Sequence, residues 1–299
     1  MVIARIRGGL GNQLFQYAAA RALAWHNGVP LKLDLYTYSK TKYRKFELDQ
    51  LNIDATIASR EEVHQFTGRN PIIRYLNKRE NYLRCPSVLA QPHYHFFEDF
   101  FSVNTPVYLS GYWNSHRYFA QFKKEIITQF NMRNAPPESF LRWKQKIEGG
   151  ESVAIHIRRG DYVSNQGFHS FFGALPLAYY KEAVNEMRKK ASGCKFYIFS
   201  DDLEWCKKNL EFLPDAEFVA HETSVTAFTD LLLMAQCQHQ IIANSTYSWW
   251  GAWLNNNPDK IVVAPQQWFA KKFNDAPETP YASRYYNTKD LLPESWIKL

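Results

Sequence analysis

The chain opens on an apolar run, Val2-Ile3-Ala4-Arg5-Ile6, that breaks on Gly8-Gly9-Leu10-Gly11. This predicts a strand from Val2 to Arg7 and a glycine turn. A helix follows from about Asn12 to Asn27, with Leu14, Tyr17, Ala18, Arg21, Ala22 and Trp25 at helical spacing, and Gly28 and Pro30 stop it. Leu31 to Asp34 reads as the next strand. Residues 36–104 are rich in Tyr, Phe, Arg and Asn without clean periodicity, so short helices and long loops are expected there. Val107 to Ser110 is read as a strand, Phe119 to Phe130 as a helix, and Asn134-Ala135-Pro136-Pro137 as the opening of a short helix. Glu148-Gly149-Gly150-Glu151 looks like an interdomain linker, giving expected domains of 1–149 and 150–299.

After the linker the rhythm is regular. Strands are expected over Ser152–Arg158, Lys195–Phe199, Glu217–Ala220, Gln240–Ala243 and Lys260–Ala264. Helices are expected over Pro176–Lys190, Asp202–Asn209, Ala227–Cys237 and Tyr247–Asn255. Such alternation implies a parallel sheet with helices on both faces. Three strands end in polar clusters: His156 to Asp161, Ser200-Asp201-Asp202, and Asn244-Ser245-Thr246. Ligands of open α/β sheets bind at the carboxyl ends of strands, so three such ends suggest one crevice.

Each cluster has its own chemistry. Arg158 and Arg159 close a buried strand, and a guanidinium fork there suits a phosphate, with an exposed Arg–Asp pair as the bland alternative. Asp201 and Asp202 can accept from a ribose or from guanine, or simply cap a helix. Ser245 and Thr246 sit where a loop becomes a helix, a place for phosphate or for ordinary capping. Gly9 and Gly11 resemble part of a dinucleotide fingerprint, with Asp34 on the next strand, but Leu14 replaces the third glycine. A plain strand-to-helix turn is the competing reading.

Composition narrows the classes. The 299 residues suit two domains. A net charge of +7 fits an anionic ligand or surface, and the absence of a basic stripe, finger spacing or RNA-binding signature argues against nucleic acid. Short basic runs such as Lys42-Tyr43-Arg44-Lys45 are expected to be solvated. Aromatics reach 16%, compatible with sugar stacking or with core packing. Cys85, Cys194, Cys206 and Cys237 have no metal spacing and look like reduced cytosolic thiols. No signal peptide and no run of about 18 apolar residues is present, so membrane association is expected to be peripheral at most. His93-Tyr94-His95 is a weak metal pair, and no Asp-x-Asp occurs, so no catalytic metal is expected; no cofactor is expected either.

Taken together, Gly8 to Tyr17, His156-Ile157-Arg158-Arg159-Gly160-Asp161-Tyr162, Ser200-Asp201-Asp202 and Asn244-Ser245-Thr246-Tyr247-Ser248-Trp249-Trp250 resemble glycosyltransferase family 11, the α-1,2-fucosyltransferases. The motifs span most of the chain in the family's order. The resemblance implies an α/β GT-B fold, two Rossmann-like domains facing a central cleft, with the acceptor on the 1–149 side and GDP-fucose on the 150–299 side. It implies metal-independent, inverting transfer of L-fucose from GDP-β-L-fucose to the 2-hydroxyl of a galactose-terminated glycan. By that likeness Arg158 contacts the diphosphate and Ser245 and Thr246 add donors. His156 and one of Asp201 or Asp202 face the guanosine, and Gly9, Gly11 and Asn12 reach the cleft from the other domain. The chain lacks the anchor of animal relatives, which implies a bacterial, cytoplasmic enzyme, peripheral at the inner membrane and serving surface polysaccharide assembly. The general base is expected at Asp161, whose alternative role is to hold Arg158 or Arg159, ahead of His169 on the following loop; the diphosphate itself is a third option. Rival functions are fucosyl transfer to a protein hydroxyl or another sugar, a non-catalytic nucleotide-sugar or glycan-binding protein, and a nicotinamide enzyme.

Overall fold

The computed structural model describes residues 1–40, 44–68, 87–221, 225–270 and 286–299. Cys85, Lys42 and Tyr43, on which expectations fell, lie outside the described residues. The chain packs as two compact units: residues 1–133 with 287–291, and residues 134–270 with 286 and 292–299. The division falls after Arg133. The Gly149-Gly150 pair, expected to link two domains, lies inside the second unit.

The first unit holds a five-stranded parallel sheet: β1 (Val2–Arg5), β2 (Leu31–Asp34), β3 (Thr56–Ile57), β4 (Val88–Ala90) and β5 (Val107–Ser110). Its order, β3-β2-β1-β5-β4, reverses between β1 and β5. Helix α1 (Leu10–His26) starts two residues before the expected Asn12, because Gly9 stays extended and its carbonyl accepts from the backbone N–H groups of both Asn12 and Gln13. Residues 13–24 of α1 are all buried, as suits an alanine-rich core helix. Helix α2 (Arg60–Thr67) is fixed by a reciprocal cap: Ser59 Oγ accepts from Glu62 N and Glu62 returns a bond to Ser59 N. The helix expected over 119–130 is shorter: tight 3₁₀ turns at His116–Tyr118 and Ala120–Phe122 precede α3 (Lys123–Gln129).

The second unit begins with α4 (Glu138–Glu148) and carries a six-stranded parallel sheet. Its strands are β6 (Ser152–Ile157), β7 (Lys195–Ser200), β8 (Glu217–Phe218), β9 (His239–Ile241), β10 (Val262–Ala264) and β11 (Ile297–Lys298). Its helices continue with α5 (Gly160–Ser164), α6 (Gln166–Phe171), α7 (Leu177–Lys190), α8 (Leu203–Asn209), α9 (Ala227–Gln236) and α10 (Thr246–Leu254). The order β11-β10-β9-β6-β7-β8 reverses between β6 and β9. Every residue of β6 is buried, and Val153, Ile155 and Ile157 pack with Tyr180, Val184 and Met187 of α7. The tryptophan-rich α10 is a core helix, with Trp249 and Trp250 fully buried.

Candidate active site

In the second unit the switch point falls between the carboxyl ends of β6 and β9, where Arg158 and the Asn244-Ser245-Thr246 turn emerge. This is where a doubly wound sheet leaves room for a ligand.

The Arg158 guanidinium is held from two sides. Its Nη2 lies 2.5 Å from Asp161 Oδ1 and its Nη1 lies 2.7 Å from Asp201 Oδ2. Asp161 belongs to the first turn of α5 and Asp201 follows β7 directly, so two strand ends and one helix converge on one cation. From beneath, the buried Tyr180 hydroxyl meets the Arg158 backbone N–H. Asp201 also accepts from the Arg159 backbone N–H at 2.8 Å. Asp202 has two roles: its Oδ2 meets Arg159 Nε at 3.1 Å, and its Oδ1 caps α8 by accepting from Trp205 N. Arg159 stacks on the Trp205 ring at 3.8 Å. A Cβ at Gly160 would collide with Asp201 Oδ2, so this position accepts no side chain while Asp201 keeps its place.

His156 lies one turn of the pleat below, buried in β6 beside the Tyr247 ring. Burial, with a smaller contribution from the Arg158 charge, pushes its pKa down to about 3, so the ring is neutral at physiological pH. Its Nδ1 is buried without a hydrogen-bond partner among the described residues. Ser245 caps α10 by accepting from Tyr247 N, and Thr246 is the first, half-buried residue of that helix. Asn244, which the sequence marked only as part of a polar strand end, acts as a pin. Its amide nitrogen donates toward the carbonyls of Phe172, Gly173 and Trp268, fixing the chain after α6 against the end of β9. Tyr162, stacked on Phe172, reaches the Asn244 carbonyl from α5.

His169 lies on helix α6, not on a loop, because Asn165 caps that helix through Gly167 N and Phe168 N. Its Nδ1 is 3.1 Å from the Tyr162 carbonyl oxygen. A carbonyl only accepts, so in the neutral ring Nδ1 carries the proton and exposed Nε2 is left as a base. The structure therefore gathers Arg158, Asp161 and Asp201 at one point, with His156 below them and Asp202 on Arg159 beside them. His169 meets Tyr162, whereas the ion pairs of Arg158 among the described residues are to Asp161 and Asp201.

Gly9, Gly11 and Asn12 lie at the start of α1 in the first unit. Two buried glutamines, Gln13 and Gln16, organise that turn. Gln13 donates to the carbonyls of Gly8 and Lys45 and accepts from Glu47 N; Gln16 exchanges bonds with both backbone groups of Arg7. The signal was in the sequence, as two glutamines three apart among the apolar residues that open the helix. Glu47 receives the Leu10 backbone N–H, and burial raises its pKa against the opposing pull of Arg44. Tyr38 donates to the Gly8 carbonyl.

Cys194, Cys206 and Cys237 are free thiols. The rings of His93 and His95 stack at 3.6 Å, and His93 Nδ1 faces the His95 carbonyl. Among the described residues no group of three or more His, Cys, Asp or Glu is placed to hold a metal ion, and no helix is long and apolar enough to cross a membrane.

Comparison with known proteins decides the family. The profile described as glycosyl transferase family 11 matches residues 1–287. The chain belongs to glycosyltransferase family 11. An α-1,2-colitosyltransferase of Escherichia coli is 35% identical over 305 residues, covering 100% of this chain and 99% of that protein. The galactoside 2-α-L-fucosyltransferase Sec1 of Mus musculus is 26% identical over 306 residues, covering 99% of this chain and 73% of that protein. Among solved structures, the NodZ α-1,6-fucosyltransferase soaked with GDP-fucose is similar with a TM-score of 0.50 at 16% identity, covering 85% of this chain and 91% of that one. The two parallel α/β units of this family 11 transferase are of the GT-B type.

Proposed function

We propose that the protein transfers a 6-deoxyhexose, L-fucose or its 3-deoxy relative colitose, from the GDP-linked donor to the 2-hydroxyl of a terminal galactose. The observation that carries this reading is Arg158, set at the switch point of the second sheet and aimed by two carboxylates. With one N–H of each Nη engaged by a carboxylate, the guanidinium keeps its second Nη–H groups and Nε–H for an anion, and a GDP leaving group gains charge as the glycosidic bond breaks. Neutral His156 suits a purine edge, which needs a hydrogen-bonding ring and no added charge. Ser245 and Thr246 at the start of α10 suit the phosphates. A binding protein without catalysis has no need of so constrained a cation.

Inversion by direct displacement needs a base for the acceptor hydroxyl. Asp161 is engaged by Arg158, which favours its role as an orienter; His169 offers Nε2 and is assigned the base. The colitosyltransferase relative keeps the donor open between two sugars that differ by the 3-hydroxyl. Incubation of the purified protein with lactose and either GDP-fucose or GDP-colitose, followed by linkage analysis of the product, tests the reading. It predicts GDP release and a new α-1,2 bond with at least one donor. No transfer from either donor to any galactoside would refute it.

A further inference from the structure

The first sheet has its own switch point, between β1 and β5, and the segments that leave those two strand ends are built at a cost. The β1–β5 register pairs Ala4 with Leu109, so three residues on Arg7 and Tyr112 stand opposite each other. The Arg7 guanidinium lies 4.3 Å from the centroid of the Tyr112 ring. Beyond Tyr112, Trp113 is buried with φ of 57°, a backbone state that a bulky residue adopts only when its surroundings impose it. What imposes it is Gln91, whose Oε1 accepts from Tyr112 N at 2.8 Å and from Trp113 N at 3.1 Å. The clamp also demands glycine at 111, where a Cβ would lie 2.5 Å from Gln91 Cβ and 2.8 Å from the Trp113 ring.

Two donors remain over. Arg7 Nε and the amide nitrogen of Asn114 are buried without a hydrogen-bond partner among the described residues, and Asn114 as a residue is only 2% exposed. Orphaned buried donors are rare, and strained backbone gathers at ligand sites. Here a strained turn, a half-buried ring and two orphan donors share one switch point, a combination that packing alone does not require.

We infer that Arg7, Tyr112 and Asn114 form a pyranose subsite in the first unit. Ring and hydroxyl oxygens of a sugar accept from Arg7 Nε and Asn114, and the sugar's apolar face lies against Tyr112. The neutral amide of Asn114 and the aromatic face of Tyr112 suit a neutral hexose, while the Arg7 guanidinium would also take a carboxylate, so a galacturonide is the competing ligand that the test includes. The inference rests on the transferase reading, which requires an acceptor sugar, and it names the residues that hold that sugar.

Saturation-transfer NMR with methyl β-D-galactoside tests it without turnover. The wild-type protein should saturate the sugar's ring protons, Tyr112→Ala and Asn114→Leu should abolish the effect, and Tyr112→Phe should retain it. Each damaging variant should raise the acceptor KM roughly tenfold or more, the loss expected for one buried hydrogen bond or stacked ring. GDP affinity, measured by calorimetry on the same samples, should stay within about twofold, which also shows that the variants are folded. Saturation that survives Tyr112→Ala and Asn114→Leu would overturn the subsite, as would tenfold stronger binding of methyl β-D-galacturonide. Wild-type protein that binds the galactoside here but transfers no sugar from either donor would refute the transferase reading and leave the subsite standing.

Discussion

One carboxylate of Asp201 binds both the side chain of Arg158, at 2.7 Å, and the backbone N–H of the next residue, at 2.8 Å. The direction of the Arg158 fork is therefore set by the end of β7 as much as by its own strand. This arrangement explains the glycine at 160, whose missing Cβ is the room that Asp201 occupies.

Gly160→Ala tests that relationship. Replacing Asp201 itself would loosen Arg158 but also remove a negative charge near a bound diphosphate, and the two effects oppose each other. Gly160→Ala keeps every charge and only displaces Asp201. A charge-assisted hydrogen bond contributes roughly 1.5–3 kcal/mol, so GDP affinity should fall about 10- to 100-fold with the fold intact. Wild-type affinity in Gly160→Ala would show that Asp201 does not aim Arg158.

Asp161 and His169 separate by kinetics. Asp161→Asn breaks the 2.5 Å ion pair with Arg158; the loosened fork should outweigh the one negative charge removed beside the diphosphate and weaken GDP binding several-fold along with turnover. His169→Ala should lower kcat by roughly 10²-fold, within the range expected for a lost general base, and leave GDP affinity unchanged. Steady-state kinetics beside GDP calorimetry distinguish them. A fall in kcat alone for Asp161→Asn, with full activity in His169→Ala, would return the base to Asp161.

His156 gives a signed pH dependence. Its folded pKa of about 3 lies below the unfolded value near 6.5, so the unfolded state binds the extra proton between those limits. The stability it contributes is complete above pH 6.5 and is lost progressively as pH falls toward 3. Between pH 7 and pH 5 the loss should be about 2 kcal/mol. Denaturant unfolding at the two pH values should show this slope in the wild type and a shallower one, by about that amount, in His156→Gln. Equal slopes would mean that His156 is not buried neutral.

Activity should survive excess EDTA. The carboxylates nearest Arg158 and Arg159 are committed to those arginines, and the arginines are assigned the diphosphate charge that a divalent ion would otherwise neutralise. Loss of turnover in EDTA, restored by Mg²⁺ or Mn²⁺, would contradict the assignment.

Much of the second unit was legible because its strands are buried on both faces and read as apolar runs ending in polar clusters. Arg158, Asp161 and Asp201 stood out for that reason, though the partnership of Arg158 with Asp201, across 43 residues of chain, depends on the pairing of β6 with β7. The first unit was harder to read. Strand β3 has two residues and β4 three, too short for any alternation to show. Helix α2 did carry a signature, Ser59-x-x-Glu62, which went unused in the uneven stretch from 36 to 104. Gln91 and Asn114 gave no sign, because what they do depends on a backbone turn that no local pattern encodes.

The central claim is that Arg158 is the anion clamp of a GDP-sugar site, and GDP titration calorimetry of wild type against Arg158→Lys tests it most directly. Lysine keeps the charge and loses the planar fork and its two carboxylate bonds. The account predicts GDP binding to the wild type and affinity about 10- to 100-fold weaker in the variant. Equal affinity, or no binding of GDP to the wild type, would contradict it.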